Sequence, residues 1–152
     1  MIISKYQIRD YETVDAKLDA LLAYRQAPLC CYPALTNGIT IVGGATAWVL
    51  GAVTQLVPVN TLTLPICLHE VLIEYASTSD IYVLILYYIW EGHTIEIGRI
   101  KTNRERYNGT SSQIEISGMQ IPANSRINAK LASSMGGSQT LRVSLSYHEV
   151  AE

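Results

Sequence analysis

Short apolar segments that alternate with turn residues fill this chain after residue 38, and they limit its fold more than any other feature. Eight segments have the period-two or continuous apolar pattern of β-strands. Turn residues such as Gly43-Gly44, Glu91-Gly92 and Gly136-Gly137 separate them. Because no helical pattern lies between the strands, the sequence predicts an all-β fold, a jelly-roll-like β-sandwich of about eight strands. The segments are residues 39–42, 47–57, 61–75 with a break at Pro65, 81–89, 94–101, 113–117, 126–132 and 140–148.

Two of these segments carry finer information. In residues 140–148, Leu141, Val143, Leu145 and Tyr147 alternate with polar residues, which predicts a half-buried terminal strand. In residues 94–101 the apolar positions change parity after Ile97, and Gly98 stands at the change. A β-bulge is therefore expected at Gly98.

Before the strands, residues 10–27 have the pattern of an amphipathic helix. Tyr11, Val14, Leu18 and Leu21 recur at helical spacing, Leu22 widens the stripe, and Pro28 ends it. The stripe suits a short coiled coil or packing against the sheet of the same chain. Residues 28–37, with two prolines and an Asn37-Gly38 turn, are interpreted as a linker. The predicted organisation is an N-terminal helix and arm, 1–37, and a sandwich domain, 38–152.

Composition excludes several classes of protein. Only 16% of the 152 residues are charged while 49% are apolar, which favours oligomerisation. The net charge of −2 gives no attraction to nucleic acid, and no apolar run is long enough for a membrane span or a secretory leader. Cys30, Cys31 and Cys67 are expected to be reduced thiols. Ten tyrosines and no phenylalanine favour interfaces with a partner or with a glycan.

No catalytic or metal-binding pattern withstands inspection, and no cofactor is expected. His69-Glu70 begins like a zinc-protease motif, but Ile73 stands where the second histidine belongs and the segment is strand-like. His93 and His148 fall in separate segments, and Glu70 and Glu74 are interpreted as a solvent-facing pair. The protein is therefore predicted not to be an enzyme.

Two surfaces are candidates for binding. The strand 81–89 is apolar on both faces, which fits a central strand covered on two sides or one whose outer face meets another subunit. Its side chains expected at a subunit interface are Tyr82, Leu84, Leu86 and Tyr88. The other surface is a basic cluster, interpreted as a solvated hairpin tip or a contact for an acidic partner, and formed by Arg99, Lys101, Arg104 and Arg106.

Several segments give the chain a resemblance over residues 38–149. They are Gly44-Ala45-Thr46-Ala47-Trp48-Val49-Leu50-Gly51-Ala52, Ile97-Gly98-Arg99-Ile100, Ile121-Pro122-Ala123-Asn124-Ser125-Arg126-Ile127, Lys130-Leu131-Ala132-Ser133-Ser134 with Gly136-Gly137, and Val143-Ser144-Leu145-Ser146-Tyr147-His148. In these features the chain resembles bacteriophage virion proteins of the capsid-decoration and head-fibre type, which are small trimeric jelly-roll domains.

The resemblance implies a non-enzymatic structural protein that is made in the bacterial cytoplasm and becomes part of the virion. It implies a homotrimer with Arg126 and Lys130 at subunit contacts, and an N-terminal arm that binds the phage capsid or another virion protein. The arm residues expected to make that attachment are Val14, Leu18, Leu21, Leu22, Leu29 and Tyr32. The alternative is a carbohydrate-binding module of a phage fibre or tail, with a concave face lined by Trp48, Trp90 or tyrosines.

Overall fold

A computed structural model describes residues 16–19, 28–34, 37–105, 112–116 and 118–150. Residues 16–19 form a helical turn, and most of the predicted helix 10–27 lies outside the described residues. Among those residues, no helix has the length and apolar character needed to cross a bilayer. The strands are β1 (Leu29–Tyr32), β2 (Ile39–Val42), β3 (Thr54–Val57), β4 (Ile66–Ala76), β5 (Asp80–Trp90), β6 (His93–Arg104), β7 (Ser112–Glu115), β8 (Gln120–Ile121), β9 (Arg126–Ser133) and β10 (Thr140–Glu149).

The strands form two sheets, and every ladder between them is antiparallel. In sheet A the order is β1-β10-β4-β7, with β2 also paired to β10 and β8 also paired to β4. Sheet B has the order β3-β9-β5-β6. The two sheets pack as a sandwich, which confirms the predicted jelly-roll-like β fold.

The core consists of the inward-facing side chains of both sheets. Along β5 the even-numbered residues from Asp80 to Tyr88 are buried and the odd-numbered ones are only half-buried, as period-two geometry requires. Along β10 the predicted core residues Leu141, Val143, Leu145 and Tyr147 are buried in one cluster with β4 and β5 residues. The strand is more than half-buried, because Ser144 and Ser146 on its other side are buried as well. Full burial of each aliphatic side chain contributes about 1.5–3 kcal/mol to folding.

Bulges keep the long strands in phase with this core. The register between β5 and β6 shifts between Leu86 and Tyr87, so that Leu86 faces Gly98 while Tyr87 faces Glu96. The extra residue lies at Ile97, next to Gly98, which confirms the bulge predicted there. Similar shifts in the β4–β10 ladder let Leu68, Val71 and Ile73 all reach the core although their spacing is uneven.

Two connecting segments differ from expectation. Residues 28–37, predicted as a linker, contain β1, which pairs with β10 from Leu29↔His148 to Tyr32↔Leu145. The predicted strand 47–57 is shorter, since only Thr54–Val57 is a strand. The residues before it run beside β9. Trp48 N–H donates a hydrogen bond to Ser133 O, and Gly51 N–H donates one to Leu131 O, both at 2.8 Å.

A buried carboxylate joins the turn before β5 to the loop after β9. Asp80 accepts hydrogen bonds from the Ile81 N–H at 2.7 Å, the Met135 N–H at 3.2 Å and the Ser134 hydroxyl. Burial raises the pKa of the Asp80 carboxyl group, but these donors outweigh that effect and lower its pKa below the ordinary value of 3.8. The same loop approaches residues 44–47, where Gly137 N–H donates to Ala45 O at 2.8 Å.

Candidate functional site

The outer face of sheet B carries an apolar spine along its central region. The odd-numbered side chains of β5 point away from the core and stay half-buried between the neighbouring strands. These residues are Ile81, Val83, Ile85, Tyr87 and Ile89. An outward-facing strand built wholly from apolar and aromatic residues is typical of a surface that binds another molecule.

Charged residues border this spine on both sides. On β6, Arg99 lies opposite Ile85 and Lys101 opposite Val83. On β9, Lys130 lies opposite Ile85 and Arg126 opposite Ile89. The one carboxylate in these rows is Glu96, opposite Tyr87. The described face therefore carries a net positive charge, whereas the whole chain has a net charge of −2.

Glu96 and Arg99 form an exposed ion pair within this border. Arg99 Nε lies 2.7 Å from Glu96 Oε1, and Arg99 Nη2 donates to Glu96 Oε2 at 3.1 Å. The hydrogen bonds from Arg99 lower the pKa of Glu96, and the same contact raises the pKa of Arg99. Since both groups are in water, the pair orients these side chains and adds little stability.

Trp48 lies over one end of the spine. Lys101 Nζ is 5.6 Å from the centroid of the Trp48 ring, within the range of a cation–π contact. Ala132, Val83 and Lys101 lie side by side on the neighbouring strands β9, β5 and β6. Ala132 faces outward, yet only 3% of its surface is exposed. The ring of Trp48 thus lies across the outer face, and it still has 50% of its surface exposed.

The backbone at Trp48 is itself unusual, with φ at 61°. Bulky residues rarely adopt this left-handed conformation, and it persists only where the surroundings hold it. Here the Trp48 N–H donates to Ser133 O at 2.8 Å, and Val49 N–H donates to Thr46 O at 3.1 Å. The conformation places a large aromatic ring on the sheet face, where the sequence pattern predicts only a strand residue.

A shallow depression of about 600 Å³ lies along the spine. Ile85, Tyr87 and Ile89 contribute to its lining, together with Leu50 and Val53 from the segment before β3. Asn128 also lines it, is only 5% exposed, and its Oδ1 accepts no hydrogen bond from the described residues. A buried acceptor without a donor costs about 1–3 kcal/mol, which a donor from a bound partner would offset.

The structure corrects the side of β5 that was expected at a subunit interface. Tyr82, Leu84 and Leu86 are 0% exposed and Tyr88 is 6% exposed, because they pack between the two sheets. Buried core side chains have no surface to offer a second copy. Arg126 and Lys130, which were expected at subunit contacts, lie on the outer face of sheet B, next to the odd-numbered residues of β5.

The residues expected to attach the arm are only partly described. Leu18, in the helical turn, is 49% exposed, and Leu29 in β1 is 50% exposed. Tyr32 is partly buried and packs against the core. Val14, Leu21 and Leu22 lie outside the described residues.

The histidines do not all lie apart. The rings of His69 and His148 are 5.5 Å from centroid to centroid on the outer side of sheet A, while His93 begins β6 in sheet B. His69 Nε2 is 3.8 Å from Glu70 Oε1, and His148 Nδ1 is 3.3 Å from Pro28 O. Within the described ranges, no three His, Cys, Asp or Glu residues are grouped to hold a metal ion. His69 lies in strand β4, as its sequence pattern predicts.

Two further expectations about charged residues need correction. Glu74 is not simply solvent-facing: it accepts hydrogen bonds from Gly38 N–H at 2.8 Å and from the Ser144 hydroxyl, and Arg142 Nε is 3.2 Å away. The basic cluster is not wholly solvated, because Arg104 is 5% exposed and donates to the Ser112 hydroxyl. Arg106 lies outside the described residues.

Comparison with known proteins finds weak similarity to solved structures and none to a family or a curated sequence. No protein-family model matches the sequence, and no curated protein is significantly similar to it. A solved structure of the Gt strain of infectious bursal disease virus is 15% identical with a TM-score of 0.40, covering 83% of this chain and 38% of that chain. The Gx strain is 13% identical with a TM-score of 0.39, covering 83% and 37%.

A third structure, of T=1 particles derived from the same virus, is 14% identical with a TM-score of 0.41, covering 80% of this chain and 31% of that chain. This chain thus spans less than two fifths of the length of each. None of these three structures is described as a bacteriophage decoration or head-fibre protein.

Proposed function

We propose that this chain is a structural, non-enzymatic virion protein that acts by assembly, as a capsid decoration or head-fibre component. The observation that supports this proposal is the outer face of sheet B, with its apolar spine, basic borders and exposed Trp48. Monomeric proteins rarely expose an apolar face of this kind, and such a face suits a lasting contact with another protein. In this proposal the protein is made in the host cytoplasm and resides on the particle.

The assembly proposed is a closed homotrimer. A cyclic trimer uses heterologous contacts, in which one surface of a subunit meets a different surface of the next. Arg126 and Lys130 lie on the outer face of sheet B and would then be at subunit contacts. Residues 1–37 would supply attachment within the particle, with the exposed Leu29 among the contacts.

The alternative proposal, a glycan-binding module of a fibre or tail, would need a concave face on which aromatic rings are gathered. Trp48 lies over the row of Val83, whereas Trp90 ends β5 and lines a separate depression with Pro65 and Gln120. Seven residues separate the two rows, or roughly 23 Å at the usual rise of a strand. The two tryptophans therefore do not form one stacking platform, and assembly is the better supported function.

Light scattering coupled to size exclusion tests this proposal. At tens of micromolar we expect a discrete species of three times the chain mass, and electron microscopy of virions labelled against the chain should show it on the particle surface. A monomer at these concentrations, together with unlabelled virions, would contradict the proposed function.

A further inference from the structure

We propose that the outer face of sheet B is the docking site for the N-terminal helix, residues 10–27, of a neighbouring copy of this chain. This inference rests on the proposed assembly function and names the two surfaces that meet. The occupant follows from charge, from dimensions and from the exposure of the arm.

Charge excludes the simplest alternative, in which two copies pair face to face. A two-fold contact would bring Lys101, Lys130, Arg126 and Arg99 of one copy against the same cations of the other, with only Glu96 to offset them on each side. Like charges brought together in an interface are destabilising. The face therefore calls for a partner that is both apolar and acidic.

Residues 10–27 have this chemistry. The segment contains four carboxylates, Asp10, Glu12, Asp15 and Asp19, and two cations, Lys17 and Arg25. Glu12, Asp15 and Asp19 recur at spacings of three and four, so on a helix they line one border of the stripe formed by Tyr11, Val14, Leu18, Leu21 and Leu22. An apolar stripe bordered by carboxylates complements an apolar spine bordered by cations.

The dimensions agree. As a helix, 18 residues are about 27 Å long and 10–12 Å wide. The 11 residues of β5 span roughly 33 Å, and four strands at about 4.8 Å spacing are roughly 14 Å across. One helix laid along β5 covers the spine, while its carboxylates reach the rows of Lys101 on one side or Lys130 on the other. Asn128 Oδ1, buried in this face without a described donor, then lies beneath the helix, where the Tyr11 hydroxyl is a donor on the stripe.

The neighbouring copy, and not the same chain, is the source of the helix. All of residues 16–19 are exposed, and Leu18, in the middle of the stripe, keeps 49% of its surface in contact with solvent. Leu18 and the outer face of sheet B are thus both exposed within one chain. Passing the arm of each copy to the face of the next satisfies both, and such a heterologous contact forms a ring where its rotation closes.

Complementation between two broken variants tests the proposal. In the arm variant, Leu18→Ser and Leu21→Ser remove the stripe. In the face variant, Ile85→Thr and Tyr87→Thr remove the spine while keeping residues of high β-propensity. Leu72→Thr, on the outer side of sheet A, is the matched control. Far-UV circular dichroism and urea unfolding establish that each variant is folded.

We expect each double variant to associate at least tenfold more weakly than the wild type in sedimentation velocity, and Leu72→Thr to behave as the wild type. Mixed in equal amounts, the two double variants should form a dimer, because the face variant still has an arm and the arm variant still has a face. If either variant assembles as the wild type does, or if mixing restores nothing, the inference is overturned while the proposed function stands. A monomeric wild type overturns the inference, and together with unlabelled virions it overturns the proposed function as well.

Discussion

Two single substitutions, Leu84→Ala and Ile85→Ala, distinguish the inner face of β5 from its outer face. Leu84 is 0% exposed in the core, whereas Ile85 is half-buried on the outer face. Each substitution removes three carbons. At about 0.8 kcal/mol for each buried methylene, Leu84→Ala loses about 2.4 kcal/mol of transfer free energy, and the cavity raises the loss to about 3–4 kcal/mol. Ile85→Ala loses roughly half of the transfer term, about 1.2 kcal/mol, and leaves no cavity.

Urea unfolding followed by far-UV circular dichroism measures this difference, provided that the slope of the transition is the same in both variants. The measurement belongs at low micromolar concentration and again at tens of micromolar. The cost of Leu84→Ala should not depend on concentration, while that of Ile85→Ala should grow where the protein assembles, since binding to the folded state adds to its stability. An Ile85→Ala variant that is as destabilised as Leu84→Ala at low concentration would refute the assignment of the two faces.

Two further substitutions test the loop contacts. Because the folded pKa of Asp80 lies below its unfolded value of about 3.8, Asp80 stabilises the fold above that pH, and this contribution is lost as the pH falls through the lowered folded pKa. The urea midpoint of Asp80→Asn should therefore fall less between pH 5 and pH 3 than that of the wild type. An equal fall in both proteins would contradict the hydrogen bonds described for Asp80. Gly136→Ala should lower the free energy of unfolding by about 1–3 kcal/mol, because φ is +69° and a Cβ would meet Ala47 N at 2.6 Å. Gly98→Ala, where a Cβ meets nothing within 4 Å, is its control and should be nearly neutral.

The strand pattern of the chain was predictable because most strands carry it locally. β2 and β10 begin where the sequence predicts, and the bulge beside Gly98 follows from the change of parity around it. β1 was not predictable, since two prolines make residues 28–37 look like a linker and its pairing with β10 is a contact between distant parts of the chain. Nor was the late start of the strand predicted over 47–57, because the left-handed backbone at Trp48 depends on the hydrogen bonds from Trp48 to Ser133 and from Val49 to Thr46.

The interface residues predicted on β5 lie in the core, and the candidate site is on the other side of the same strand. Residues 81–89 are apolar at both parities, so their own pattern cannot tell which side faces the core. The information lies in the partners across the register, where Lys101 and Lys130 accompany the odd-numbered residues and Ile100 and Leu131 the even-numbered ones. The register of β5 with β6 and β9 is set by the whole fold, and the sequence of β5 alone does not determine it.

The alternation along β5 also constrains how this gene can vary. Inner and outer positions interleave at every second residue, so substitutions at Ile85 or Tyr87 can remodel the surface while the even-numbered residues preserve the core. A one-codon insertion or deletion is different, because the strand would then turn every following side chain to the opposite face. Such a change would place outward-facing residues in the core and core residues on the outer face at once. Lineages of this protein should therefore diverge by point substitution in β5, and length variation should be confined to the turns at its two ends.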